Sequence, residues 1–176
     1  VVCFGAPCQD ISGASRGRGG GLDGPRSGLW REAVRIVGEL RPRAVIVENV
    51  AGSAARVWVP VVRSAIAAIG YASVPVLLRA CDVGAPFLGA RVFVLAKAHR
   101  DGEPVRAFDA QVALMQAAAV ARRSDWGQPP AGALGVDDGI PFGLERRRAI
   151  GNAVPPGQAR AAGLVLRQWV TNAEVA

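Results

Sequence analysis

The chain has 176 residues, 51% of them apolar and 20% charged, which suits one packed domain, or part of a larger one, and excludes disorder. Its net charge is +7 and every basic residue except Lys97 is arginine, a supply of planar donors suited to phosphates and guanine edges. Arg or Glu interrupts each apolar stretch before a membrane span's length is reached, and no leader pattern opens the sequence. Three cysteines without a CxxC, and the single histidine His99, exclude a zinc cage and a disulfide scaffold. A reducing cytoplasm and no metal are expected. The same scarcity discounts Ser-His-Asp and Cys-His enzymes, and His99 itself reads as a strand-end surface residue.

In chain order, residues 1–4 form a short apolar run cut by Gly5 and Pro7, expected to be a buried strand entering a loop. Cys3, inside that strand, and Cys81 are expected to be buried or half-buried. Residues 13–28 are dense in glycine and arginine, so a long loop is predicted. Ser27 is placed to cap a helix whose apolar positions are Trp30, Ala33, Val34, Val37 and Leu40, and Arg41-Pro42 ends it. The β-branched run 44–47 is a buried strand that delivers Glu48-Asn49 at its carboxyl end. A second helix is predicted over 58–69, with Pro60 in its first turn and Gly70 as its stop. Strands follow at 73–78 and 91–96, then an alanine-rich helix near 110–120. Pro155-Pro156 opens a last amphipathic helix with Leu164, Leu166 and Trp169.

Alternating strands and helices with apolar strands predict an α/β fold with a mostly parallel sheet, helices on its faces and chemistry at the carboxyl ends of the strands. The segment after Phe4 and the Glu48-Asn49 pair both fall at that edge. Arg91 joins them if the turn before its strand folds over the same edge. Cys8, on a rigid proline beside an arginine-bearing loop, has the electropositive setting that raises thiolate content.

The segment GAPCQDIS, a glycine/arginine loop, GLW and then RPRAVIVENV together resemble the C5-cytosine DNA methyltransferase family. GAPFLGARVFVLA (residues 84–96) and RRRAIGNAVPP (residues 146–156) are similar to the family's arginine-bearing strand and its C-terminal motif, in the same order. The resemblance implies a Rossmann-like S-adenosylmethionine-dependent methyltransferase fold, with double-stranded DNA as partner. It makes Cys8 the nucleophile and Glu48 the acid. Gly5, Pro7 and Leu29 would lie against S-adenosylmethionine, with Asn152 and Ala153 closing the pocket from the other side.

The chemistry explains the set. C5 of cytosine becomes nucleophilic only after a thiolate adds at C6. The resulting negative charge calls for an acid at N3, assigned to Glu48, and a guanidinium at O2, assigned to Arg91. The base must leave the duplex to be reached. Arg16, Arg18 and Arg26 are assigned to phosphates, with Gln9 and Ser12 beside the nucleophile on the DNA side.

This division gives a catalytic α/β core at 1–96, a short variable, target-recognition-like region at 97–143 and a C-terminal segment at 144–176 that returns to the core. Two places depart from the family's Gln-x-Arg-x-Arg: Phe87 and Gly89 stand where the glutamine and first arginine would be. The family's Phe-x-Gly-x-Gly turn and ribose-gripping acid would precede Val1, so the chain reads as the C-terminal part of a methyltransferase, completed by an N-terminal half. The rival reading is a catalytically inactive DNA-binding remnant. Restriction-modification and a cytoplasmic, nucleoid-associated setting follow from the resemblance.

Overall fold

The computed structural model describes residues 1–6, 27–99, 110–122 and 154–171. A four-stranded sheet comprises β1 (Val2–Phe4), β2 (Ala44–Val50), β3 (Tyr71–Leu78) and β4 (Arg91–Ala98), in the spatial order β1-β2-β4-β3. Helices α1 (Trp30–Leu40) and α2 (Ser53–Ala68) cover one face, and α3 (Ala110–Ala121) and α4 (Pro156–Thr171) cover the other.

The sheet is mixed, which corrects the mostly parallel expectation. β1 pairs with β2 in parallel, whereas β4 runs antiparallel to both β2 and β3. The reason lies in the β3–β4 connection. A parallel return needs a crossover of a dozen or more residues, usually a helix. Residues 79–90 hold only the 3-10 turn Ala80–Val83, which folds back on itself through Ala80 N–H donating to Leu88 O at 2.7 Å.

β2 and β4 are apolar on both faces because both faces are covered. Val45, Val47, Val92 and Val94 pack with Trp30, Trp58 and Ile66 on the α1/α2 side. Ala44, Phe93 and Leu95 pack with α3 and α4 on the other. Trp58 and Ile66 are essentially fully buried. Each contributes on the order of 2–3 kcal/mol through the apolar area it removes from water. Alanines 113, 117 and 121 put small side chains at one-turn spacing into the same cluster as Ala161 and Ala162, so α3 and α4 share a core with the sheet. At the start of α4, a Cβ on Gly157 would lie 3.0 Å from Val83, so the helix seats directly on the 3-10 turn.

Several local expectations change. β1 is the edge of the described sheet and is not buried: Val2 and Phe4 are half-buried against the α1/α2 side, while Cys3 points the other way and is exposed. Cys81 is half-buried as expected. α1 is preceded by the 3-10 turn Ser27–Leu29, with Leu29 in the cap position and no side-chain cap bond there. Leu40 is exposed, and the helix ends on Arg41 in a left-handed conformation (φ 47°). α2 starts at Ser53, so Pro60 sits inside the helix. Pro60 is exposed, and the amide bond it cannot make is lost on the solvent side. His99 is exposed after β4, as expected. No described helix is long and apolar enough to cross a membrane.

Candidate active site

The carboxyl edge of β1 and β2 gathers the described site residues. Glu48 and Arg91 meet across the β2–β4 ladder. Glu48 pairs with Phe93 in register and Arg91 with Val50, so the two charged side chains are diagonal neighbours on one sheet face. Arg91 Nε and Glu48 Oε1 form an ion pair at 3.0 Å, with side-chain exposures of only 11% and 23%. Burial pushes the Glu48 carboxyl above its ordinary range, and the Arg91 charge pulls it part of the way back. Burial thus favours the protonated form, the direction in which an acid aimed at a ring nitrogen must be shifted.

Gly5 follows β1 directly and faces this carboxylate: a Cβ there would come within 3.2 Å of Glu48 Oε2. Only the bare backbone of glycine leaves the carboxyl its full space. Ala6 is tied to the same edge by Asn49. Its Nδ2 donates to Ala6 O at 3.1 Å, while its Oδ1 accepts from Val50 N–H at 2.7 Å. Trp58 of α2 fixes the end of β2 from below, with Nε1 donating to Val50 O at 3.0 Å. The backbone that enters Pro7 and Cys8 thus leaves from an anchored point two residues before the cysteine.

Of the residues singled out from sequence, Gly5, Glu48 and Arg91 come together. Leu29 lies at the start of α1, 55% exposed. Pro7, Cys8, Gln9, Ser12, Arg16, Arg18, Arg26, Asn152 and Ala153 lie outside the described residues. Two further residues were not identified from sequence. In the sequence Asn49 stands out only as the neighbour of Glu48, yet a polar residue ending an apolar strand, 7% exposed, must find partners. Gln158 is fully buried on α4, with Nε2 donating to Leu78 O at 2.8 Å and to Gly89 O at 2.9 Å. Its signal was a polar residue on the stripe formed by Ala161, Ala162, Val165 and Leu166. Among the described residues, no group of three or more His, Cys, Asp or Glu side chains is placed to hold a metal.

The sequence profile of the family described as C-5 cytosine-specific DNA methylase matches residues 1–122. This chain belongs to that family. Among its curated relatives is "Type II methyltransferase M.AgeI" of Thalassovita gelatinovora, 35% identical over 108 residues, which are 60% of this chain and 24% of the relative. "Type II methyltransferase M.HgiBI" and "Type II methylase M.HgiEI", both of Herpetosiphon aurantiacus, are each 33% identical over 98 residues, 54% of this chain and 22% of each relative. The matched segment thus spans about a quarter of their length. The mixed α/β sheet is consistent with a methyltransferase fold.

Proposed function

We propose that this chain supplies the nucleophile, the acid and the guanidinium of a DNA (cytosine-5)-methyltransferase. The observation that supports it most is the half-buried Glu48–Arg91 pair, set against Gly5 at the strand edge from which the Pro7-Cys8 segment departs. In this reading the Cys8 thiolate forms a bond to C6 of a flipped cytosine, and the displaced electron pair makes C5 nucleophilic. Glu48 places its proton at N3 and Arg91 holds O2, together neutralising the charge that builds on the ring. After C5 is methylated and loses its proton, the sulfur leaves and the base is released. S-adenosylmethionine, when bound, supplies the methyl group. By the family resemblance Gly5, Pro7, Leu29, Asn152 and Ala153 are assigned to hold it.

Arg16, Arg18 and Arg26, with Gln9 and Ser12, are assigned to the DNA. The glycine turn and ribose-gripping acid are assigned to a segment outside this sequence, in the same polypeptide or a separate N-terminal half. A restriction-modification role agrees with the Type II names of the relatives, and a cytoplasmic setting is proposed with it. The DNA-binding remnant is the alternative, favoured by Phe87 and Gly89 standing in place of the family's polar pair.

The test is covalent trapping on DNA carrying 5-fluorocytosine, with the preceding segment supplied. Cys8→Ala should abolish trapping and Glu48→Gln should slow methyl transfer by roughly 100-fold, the scale of a lost general acid. Trapping that survives Cys8→Ala but not Cys81→Ala refutes the assignment. DNA binding without any trapping establishes the remnant reading.

A further inference from the structure

We infer that Gln158 is a positioning residue for Arg91, clamping the mouth of the β3–β4 ladder from the C-terminal helix; the inference rests on the methyltransferase reading above. Leu78 and Arg91 form the last residue pair of that ladder, and Val50 and Arg91 the last pair of the β2–β4 ladder at the same end. Arg91 is therefore the terminal rung on both sides. Immediately beyond it β3 and β4 diverge into residues 79–90. At that point the carbonyls of Leu78 and Gly89 converge on the single amide nitrogen of Gln158. One side-chain NH2 thus takes over where the backbone ladder stops.

The orientation is one-sided. Both donors are used, while Oε1 is equally buried and has no partner among the described residues. Turning the amide over would set its oxygen against two carbonyls, so what this side chain contributes is its pair of N–H groups. Gly157 makes the reach possible, because a Cβ there would press on Val83 and hold α4 off the turn. Gly89 lies two residues before Arg91, so a fixed Gly89 carbonyl restricts where the Arg91 backbone can sit and where its guanidinium meets Glu48. The segment assigned to the methyl donor, Asn152–Ala153, leads into the same helix.

The test follows Glu48 directly, without requiring turnover. In the full chain, the Glu48 carboxyl is titrated by carbon NMR, identified by its absence in Glu48→Gln. Gln158→Leu should move the Glu48 midpoint upward, because a loosened Arg91 stabilises the carboxylate less. Gln158→Asn, too short to reach both carbonyls, should move it in the same direction. Gln168→Leu, on the same helix, should leave it unchanged, separating positioning from loss of stability. A folded Gln158 variant whose midpoint is unmoved or lowered overturns the inference. In the unaltered chain, the Gln158 side-chain amide protons should exchange about tenfold or more slowly than those of exposed Gln116; equal rates overturn it even if neither variant folds. A shifted midpoint in a protein that never traps 5-fluorocytosine DNA would leave the clamp standing and refute the methyltransferase reading alone.

Discussion

Replacing Arg91 by methionine removes the guanidinium but keeps most of the stem, and so isolates the charge opposite Glu48. At 3.0 Å between Nε and Oε1 the charge centres lie near 4 Å, because each charge is delocalised over its planar group. At an effective dielectric of about 20 that separation corresponds to about 4 kcal/mol of attraction. Partial exposure screens it and desolvation opposes it, so a double-mutant cycle of Glu48→Gln and Arg91→Met should return a coupling of about 1–3 kcal/mol near pH 8. The assay is urea unfolding of the four proteins across pH. Folding holds the Glu48 carboxyl above 4.5, so it favours the protonated form. That contribution to stability is full below the unfolded pKa and is lost as pH rises through the folded one. The unaltered chain should therefore lose stability relative to Glu48→Gln as pH climbs from 4.5. Arg91→Met should lose still more, and the coupling should fade on acidification. A coupling below about 0.5 kcal/mol at pH 8, or one independent of pH, refutes the charge-pair account.

Substitutions at Asn49, Gly89 and Phe87 probe the supports of the site. Asn49→Ala removes the bonds to Ala6 and Val50 and should cost about 2–3 kcal/mol in urea unfolding, whereas Asn49→Asp keeps the acceptor for Val50 and should fall between. A loss under about 0.5 kcal/mol for Asn49→Ala would show that the Ala6 anchor is immaterial. Gly89→Ala places a Cβ at φ +41° and 2.7 Å from the Phe87 ring, so a thermal-unfolding loss of about 2 kcal/mol is expected. Phe87→Ala added to it should restore the steric part alone, and a neutral Gly89→Ala would contradict the geometry.

Much of this edge is legible in the amino-acid sequence. The β-branched run 44–47 followed by Glu48-Asn49 forecasts a carboxylate at the mouth of a buried strand, and β2 places it there. The amphipathic spacing of α1 and the alanine-rich helix near 110–120 likewise lie where periodicity puts them. The misreadings have physical causes. Pro60 reads as a helix start because an interior proline costs a hydrogen bond, yet on an exposed face α2 tolerates it. Cys3 reads as buried because an apolar run does not reveal which strand lies at an edge. Asn49 and Gln158 act on backbone 43, 69 and 80 residues away, distances over which neither periodicity nor turn chemistry is informative.

The strand that breaks the expected parallel order is the one that completes the site. β4 spans eight residues from Arg91 to Ala98. At about 3.3 Å per residue its ends are roughly 23 Å apart. Had β4 run parallel to β2, its first residue would lie at the amino edge of the sheet, roughly 16 Å along the strand from Glu48 and beyond any direct contact. The β3–β4 connection holds a 3-10 turn that folds back on itself and no crossover helix, and the chain re-enters the sheet in the opposite sense, between β2 and β3. That reversal brings the first residue of β4 to the carboxyl edge, where Val50 on one side and Leu78 on the other fix its register. The loss of parallel pairing and the gain of an arginine beside Glu48 are therefore one structural event. Any insertion in residues 79–90 long enough to allow a parallel return would separate Arg91 from Glu48, even with every other residue of the site in place.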